Sequence, residues 1–557
     1  MKPGDRLERL AIPVLLSLIG LSLAVRAITA YGRAFDRDEF QFWYTAWMMS
    51  AHRMPGRDFA MPYGYSILID WLRPLFSLFP DSTAPLFLSR AAIFVVGGLV
   101  LLLVYRIGRR LTDSRAAALL GVVLVTFQPQ VIHRIPDVRW DSTNVLCVLA
   151  ALLAVVGPAG RRSALLTGLA LGLGVMSCAK VALAIPFVLG LGFLLHGRAW
   201  SRSLHLVFVA GAAPIALYVA IVEAAGLGPG YRQGFAHFLW MATEPSARVA
   251  PFPALAESFR THPTAVLLWA VCAVAALASW RARPGDERAS RAGRFVLVTT
   301  AYGVVYAATN PVFFAYNLVD LAPVLALAVP AAAAGWTARL GLQIARLSGL
   351  LGLMLAAGAA RETVWSLPRS NAFQLRYLDY IRRAIRPDEK VFDLTGSHLG
   401  RAGPYHWQLV AVELPSYRSG KLFSVSEELR RERVSLIVRS FRLHWLPERD
   451  WEFIREHYVR VEPLLFYPGR LFAVSKGRSQ RFEILLDGDY RFLSYRPEGT
   501  RIDGLPPGEK VFLTAGDHTL EFAESAKPSF ALVYTTPERE ANKLGSQLGD
   551  AAVPTEQ

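Results

Sequence analysis

The stretch AIPVLLSLIGLSLAVRAITAY at residues 11–31, running straight into GRAFDRDEF at 32–40, decides the fold. As a helix, the first segment is long enough to cross about 30 Å of hydrocarbon. The second delivers Asp36, Asp38 and Glu39 within four positions, and carboxylates are tolerated there only when solvated or paired. An apolar span that empties into a knot of acids reads as a membrane helix followed by a charged surface loop.

Comparable apolar stretches recur near 86–105, 115–132, 142–157, 163–179, 181–196, 203–224, 264–280, 295–309, 318–338 and 347–361, about eleven in all. From about residue 370 onward charged residues recur every few positions instead. The 557 residues are 53% hydrophobic and only 19% charged, against about 25% charged in an ordinary soluble domain. The expected fold class is therefore a polytopic α-helical membrane protein with extracytoplasmic α/β and β-sandwich regions at its C-terminal end. The expected units are a transmembrane domain at 1–365, an α/β domain at 366–477, a small β-sandwich-like domain at 478–540 and a disordered tail at 541–557.

The net charge of +16 does not call for nucleic acid. Its basic residues sit in short clusters between apolar stretches, such as Arg106, Arg109, Arg110 and Arg115, where they orient spans. Placing the clusters richest in Arg and Lys inside puts the N-terminus in the cytoplasm and, with an odd number of spans, the C-terminal domain outside the cytoplasmic (inner) membrane. The first span also has features of a signal peptide, but Arg26 interrupts it and many spans follow, which favours a retained anchor. Cys147, Cys178 and Cys272 all lie in apolar stretches without metal-ligand spacing and read as small buried side chains. No cofactor is called for, and nothing in the sequence supports a divalent metal.

After the first span, Phe40, Trp43, Tyr44, Trp47 and Met48 follow a helical period, with Asp38, Gln41, Thr45 and His52 opposite. The expectation is a helix lying at the membrane surface, aromatics in the interface and polar face in water. Its acids cap the helix in the plainer reading and present a general base in the functional one. The loop from His133 to Asp141 holds five ionisable groups, either a self-neutralising cluster or a second part of the same site. Lys180 is the only lysine between Lys2 and Lys390 and lies at an apolar boundary. It either snorkels to the interface or holds a phosphate. Asn310 to Asn317, including Tyr316, opens a further outside turn.

On these residues the chain resembles the C-type (GT-C) glycosyltransferases, in particular the bacterial branch near glycosyltransferase family 39. That branch contains the aminoarabinose transferases and protein O-mannosyltransferases. The resemblance is carried by Asp38-Glu39 after the first span, by Met54-Pro55-Gly56-Arg57-Asp58-Phe59 with Pro62 and Tyr63, and by Asp137-Val138-Arg139-Trp140-Asp141. Lys180 after a Gly-rich span and Tyr316 before Pro323 also fit. It implies transfer of a hexosyl or pentosyl group from a polyprenyl-phosphate carrier to a lipid, glycan or protein acceptor, with inversion. It makes Asp38 and Glu39 the catalytic pair and Asp36, Arg57, Asp58, Tyr63, His133, Asp137, Arg139, Asp141, Lys180 and Tyr316 the substrate-binding candidates. Trp140 stands where many relatives carry proline.

In the C-terminal third, a helix is expected over 372–390, strands near 391–394, 434–438 and 470–475, and a helix near 448–458. Short strands and turns fill 480–537. His398 and His406 lie in a possible loop and read as structural or exposed. Two other classes compete with an enzyme: a multi-span transporter or flippase of lipid-linked sugars, and a non-catalytic membrane assembly protein. Few mid-span charges and no repeated half speak against transport.

Overall fold

The computed structural model describes residues 3–61, 64, 66–127, 137–244, 253, 256, 263–282, 285–310, 318–333, 370–476, 478–493, 495–525 and 527–542. Tyr63, His133, Tyr316, the stretch 347–361 and the tail beyond 542 lie outside the described residues.

The helical half runs α1 (Pro3–Gly32), α2 (Arg37–Ser50), α3 (Ile67–Leu78), α4 (Ala84–Thr112), α5 (Arg115–Thr126), α6 (Trp140–Val156) and α7 (Arg161–Ser177). A 3-10 turn at Ala179–Ala184 then leads into α8 (Ile185–His196), α9 (Arg198–Ala224), α10 (Gly228–Thr243), α11 (Pro263–Ala282), α12 (Glu287–Thr309), α13 (Leu318–Ala326) and α14 (Ala328–Ala333). Four segments among the described residues are long and apolar enough to cross a membrane: Ala11–Gly32, Ala84–Thr112, Ala179–His196 and Arg198–Ala224. Shorter apolar helices fill the space between them. Two helices, α3 and α10, lie where no element is expected from the apolar pattern.

Small residues set the closest packing. A Cβ on Gly168 or Gly172 of α7 would run into the backbone carbonyls of Val207 and Gly211 on α9, so these helices touch along their backbones. Arg26, the residue that breaks the apolar run of α1, is buried and donates from Nη2 to the Thr126 carbonyl at 2.7 Å, in the last turn of α5. A charge inside an apolar helix is thereby given a partner at a carbonyl the helix end leaves open.

The C-terminal half begins with α15 (Ala372–Ala384), which ends at Ile385 as the chain enters Arg386-Pro387. Its sheet elements are β1 (Val391–Phe392), β2 (Leu436–Val438), β3 (Tyr458–Glu462), β4 (Leu465–Ala473), β5 (Ser479–Ile484), β6 (Gly488–Leu493), β7 (Arg501–Ile502), β8 (Val511–Leu513), β9 (Gly516–Glu521) and β10 (Ser529–Tyr534). Seven strands form one sheet in the order β1-β2-β4-β10-β6-β8, with β3 also on β4, and β5-β9-β7 form a second. Phe472, Phe482, Leu520, Phe530 and Leu532 fill the space between the two sheets. The expected boundary at 477/478 is thus not a break in the sheet. Strand β4 reaches β2 with Leu465 and Phe466 and β10 with Gly469 to Ala473, joining the α/β part to the sandwich.

Candidate functional site

Asp36 is the N-cap of α2. Its carboxylate accepts the Asp38 N–H at 3.0 Å, while Glu39 Oε2 accepts the Asp36 N–H at 2.7 Å, closing a reciprocal capping box. Glu39 is fully buried and wholly engaged. Arg90 of α4 donates Nε to its Oε1 at 2.9 Å and Nη2 to its Oε2 at 2.5 Å, and the Val138 N–H donates to Oε1 at 2.9 Å. The other donors of Arg90 reach the carbonyls of Ala30, Arg33 and Ala34, and Asp137 lies 3.9 Å away. One guanidinium therefore ties the end of α1, the start of α2 and the 137–138 segment together. A bidentate pair with every lone pair used is the geometry in which buried ions are tolerated.

Asp38, one residue earlier, faces the other way. Arg139, at the N-cap of α6, donates Nη1 to its Oδ2 at 2.5 Å, and Arg442 from the C-terminal half stands 3.9 Å from its Oδ1. The Arg139 guanidinium also holds Asp141 at 2.9 Å through Nε and lies 3.6 Å from Asp36. Within this network Asp38 is 31% exposed, whereas Asp36 is 16% and Glu39 0%. Its negative charge is supported by two guanidiniums and the first turn of α2, and one side of the carboxylate remains open to receive a proton.

Deeper between the helices lies a second polar group. Asn144 of α6, Lys180 of the 3-10 turn, Tyr306 of α12 and Asp320 of α13 line one small cavity. The Tyr306 hydroxyl donates to Asp320 Oδ2. Among the described residues, Asp320 Oδ1, Asp141 Oδ1 and both amide atoms of Asn144 are buried without a hydrogen-bond partner. Among the described residues, no three His, Cys, Asp or Glu side chains are grouped to hold a metal ion.

The C-terminal half covers α2. The Gly403 N–H donates to the Tyr44 hydroxyl at 2.5 Å, Trp407 Nε1 to the Ala60 carbonyl at 3.2 Å, and the Ala60 N–H to the Tyr405 carbonyl at 2.8 Å. Arg37 stacks over Phe441 at 3.5 Å. The expected polar face of α2 is therefore not in water: Gln41 and Thr45 are buried, because α2 packs on neighbours at both faces. Gly396, at φ +76°, lies at the contact; a Cβ there would stand 2.7 Å from Trp407 and 2.9 Å from Tyr44. Its loop is held by Asp393, whose carboxylate accepts the N–H groups of Thr395, Gly396 and Ser397, each at 2.8 Å. Burial opposes ionisation of Asp393, but the His398 ring at 3.1 Å and these donors outweigh it and hold the carboxyl well below its usual range. Burial also pushes the Tyr44 phenol up, so it stays protonated at neutral pH.

The candidates named from sequence thus separate. Asp36, Asp38, Glu39, Asp137, Arg139 and Asp141 share one network, and Lys180 lies in the cavity beneath it. Arg57 and Asp58 form a tight turn away from it: Asp58 accepts the Met54 N–H at 2.7 Å and pairs with the exposed Arg57 at 3.0 Å. Hydrogen bonds from Arg57 hold the Asp58 carboxyl below its usual range. Gly56 in that turn, at φ +80°, lies against Gly230 of α10. Sequence reasoning missed Arg90, Asn144, Asp320 and Arg442. The first and third are single charges in apolar stretches, a signal that was available. A wider groove, about 780 Å³, runs between α3 and α9; its one carboxylate, Asp70, is held by the Tyr218 and Tyr231 hydroxyls.

Residues 65–223 match the family described as dolichyl-phosphate-mannose-protein mannosyltransferase. No curated protein sequence matches significantly. Among solved structures, the chain is similar to ArnT from Cupriavidus metallidurans, crystallised bound to undecaprenyl phosphate (TM-score 0.54) and in the apo state (TM-score 0.56). Both are 13% identical, and the alignments cover 82% of this chain and 96% and 97% of theirs. The fold is therefore the GT-C fold that the sequence resembles.

Proposed function

We propose that the chain is a membrane glycosyltransferase that moves a hexosyl or pentosyl group from a polyprenyl-phosphate carrier to a lipid, glycan or protein acceptor on the outer face of the cytoplasmic membrane. The observation that carries this reading is the contrast between Asp38 and Glu39. Adjacent carboxylates have opposite environments, one locked by Arg90 and the other partly open between Arg139 and Arg442. In this reading Asp38 takes the proton of an acceptor hydroxyl or amine as that atom attacks the anomeric carbon. The bond between that carbon and the phosphate oxygen breaks, and polyprenyl phosphate leaves with the electron pair. Lys180, one wall of the inner cavity, stabilises the charge on the departing phosphate. A single displacement inverts the anomeric centre. The fold shared with ArnT, which has been crystallised with undecaprenyl phosphate, supports a lipid-phosphate donor.

The test is release of free polyprenyl phosphate from lipid-linked sugars by the purified protein, with and without acceptor. Asp38→Asn is expected to lower transfer about a hundredfold or more while leaving thermal unfolding unchanged. Full transfer by that variant would overturn the assignment.

A further inference from the structure

Asn144, Asp141 and Asp320 each present at least one buried polar atom without a partner, and Asn144 and Asp320 line the same cavity as Lys180 and Tyr306. All three residues are at least nine-tenths buried. Among the described residues, the orphaned atoms of Asn144 and Asp320 border one cavity, and they are costly unless something fills the gap between them. Asp141, whose charge is felt by Asp320, is joined to the open carboxylate of Asp38 through the single guanidinium of Arg139, which links the cavity's carboxylate electrostatically to the outer network.

We infer that this cavity is a specificity subsite that receives one hydroxyl of the transferred sugar, with Asn144 and Asp320 as its recognition residues. The assignment rests on the transferase reading above. Asp320 Oδ1 and the Asn144 carbonyl can accept the hydroxyl proton, and the Asn144 amide can donate to the hydroxyl oxygen. Lys180 shares the cavity wall with Asp320 and opposes its negative charge. The geometry is coherent with a donor whose sugar is one bond from its phosphate, because the lysine proposed to face the phosphate is also a wall of this cavity. Sites built to hydrogen-bond a substrate hydroxyl reject the analogue that lacks it, because the site's own groups are then left unpaired.

The experiment uses the full chain in proteoliposomes. Wild type is offered undecaprenyl-phosphate-linked glucose, galactose, mannose, N-acetylglucosamine and arabinose together with a cell-envelope lipid, glycan and protein extract as acceptor, and release of undecaprenyl phosphate is followed. For the sugar turned over fastest, the monodeoxy donors are then compared in wild type, Asn144→Ala and Asp320→Asn. With the parent sugar, each variant is expected to lose about 10- to 100-fold in kcat/KM. With one particular deoxy donor, wild type shows the same loss and the variants add little to it. Losses of equal size across the whole deoxy series, or none at all, overturn the subsite and leave a cavity that holds only water. A wild-type protein that releases undecaprenyl phosphate from none of the five overturns the transferase reading, and this assignment falls with it. Thermal unfolding of both variants within a few degrees of wild type separates lost recognition from lost fold.

Discussion

Asp38 and Glu39 are neighbours in sequence with opposite surroundings. Glu39 is fully buried against a guanidinium that is itself 1% exposed, so removing one partner leaves the other charge without compensation. Glu39→Gln is expected to destabilise the folded chain by about 3–5 kcal/mol, read as a fall in the thermal or denaturant midpoint. Asp38→Asn, on a partly exposed side chain, should leave that midpoint within about 1 kcal/mol of wild type. Equal destabilisation by the two substitutions would show that the assigned division of labour is wrong. That these acids cap a helix was legible before any coordinates, as was the acidic knot as a whole. Which acid stays open was not legible, because that depends on Arg90, fifty-one residues further on.

At the level of elements, the contact between α2 and the loop 393–403 depends on a backbone that only glycine adopts easily. Gly396→Ala would combine a positive φ with a Cβ less than 3 Å from Trp407 and Tyr44. A loss of about 1–3 kcal/mol is expected, together with faster proteolytic release of the C-terminal half in a timed digest. An unchanged digestion rate would show that the contact is not what holds the halves together. The same loop carries a pH dependence. The Asp393 carboxyl is depressed in the folded chain, so its contribution to stability is complete above the ordinary carboxylate value of about 4. It is lost as pH falls below that value towards the folded one. Urea midpoints measured between pH 6 and pH 3 should therefore drop, and less steeply in Asp393→Asn. A wild-type profile flat to pH 3 would contradict this. The helix α15 and strands β1, β2 and β4 were legible from local period. The helices α3 and α10 were not, because α3 is short and carries Asp70 and α10 mixes polar and aromatic residues without a clean apolar stripe.

For the whole molecule, the apolar repeats and the change in composition near residue 370 were enough to divide the chain into a helical and a sheet-rich half. The meeting of Asp38 with Arg442 was beyond reach, since nothing local in Phe441-Arg442-Leu443 points to a residue some four hundred positions earlier. If the proposed orientation holds, both halves of that meeting face outward. Single cysteines introduced as Arg57→Cys and Leu505→Cys, both at exposed positions, should react with an impermeant maleimide added to intact cells. Of the three native thiols, Cys178 and Cys272 are buried and Cys147, contrary to expectation, is half-buried, so the chain without an introduced cysteine sets the background. Protection of either introduced cysteine until the membrane is permeabilised would reverse the topology.

Strand β10 pairs with β4 on one side and β6 on the other, so one of the last strands of the chain occupies the centre of its largest sheet. That order has a consequence for biogenesis. The sheet cannot close until residue 534 has left the ribosome, and pairing across so many residues is slow compared with forming the helices. Arg442 is delivered by a half whose sheet closes last. A chain cut short before residue 529 would then insert its helices and yet present Asp38 without the guanidinium of Arg442, so closure of this sheet completes the charge network around Asp38.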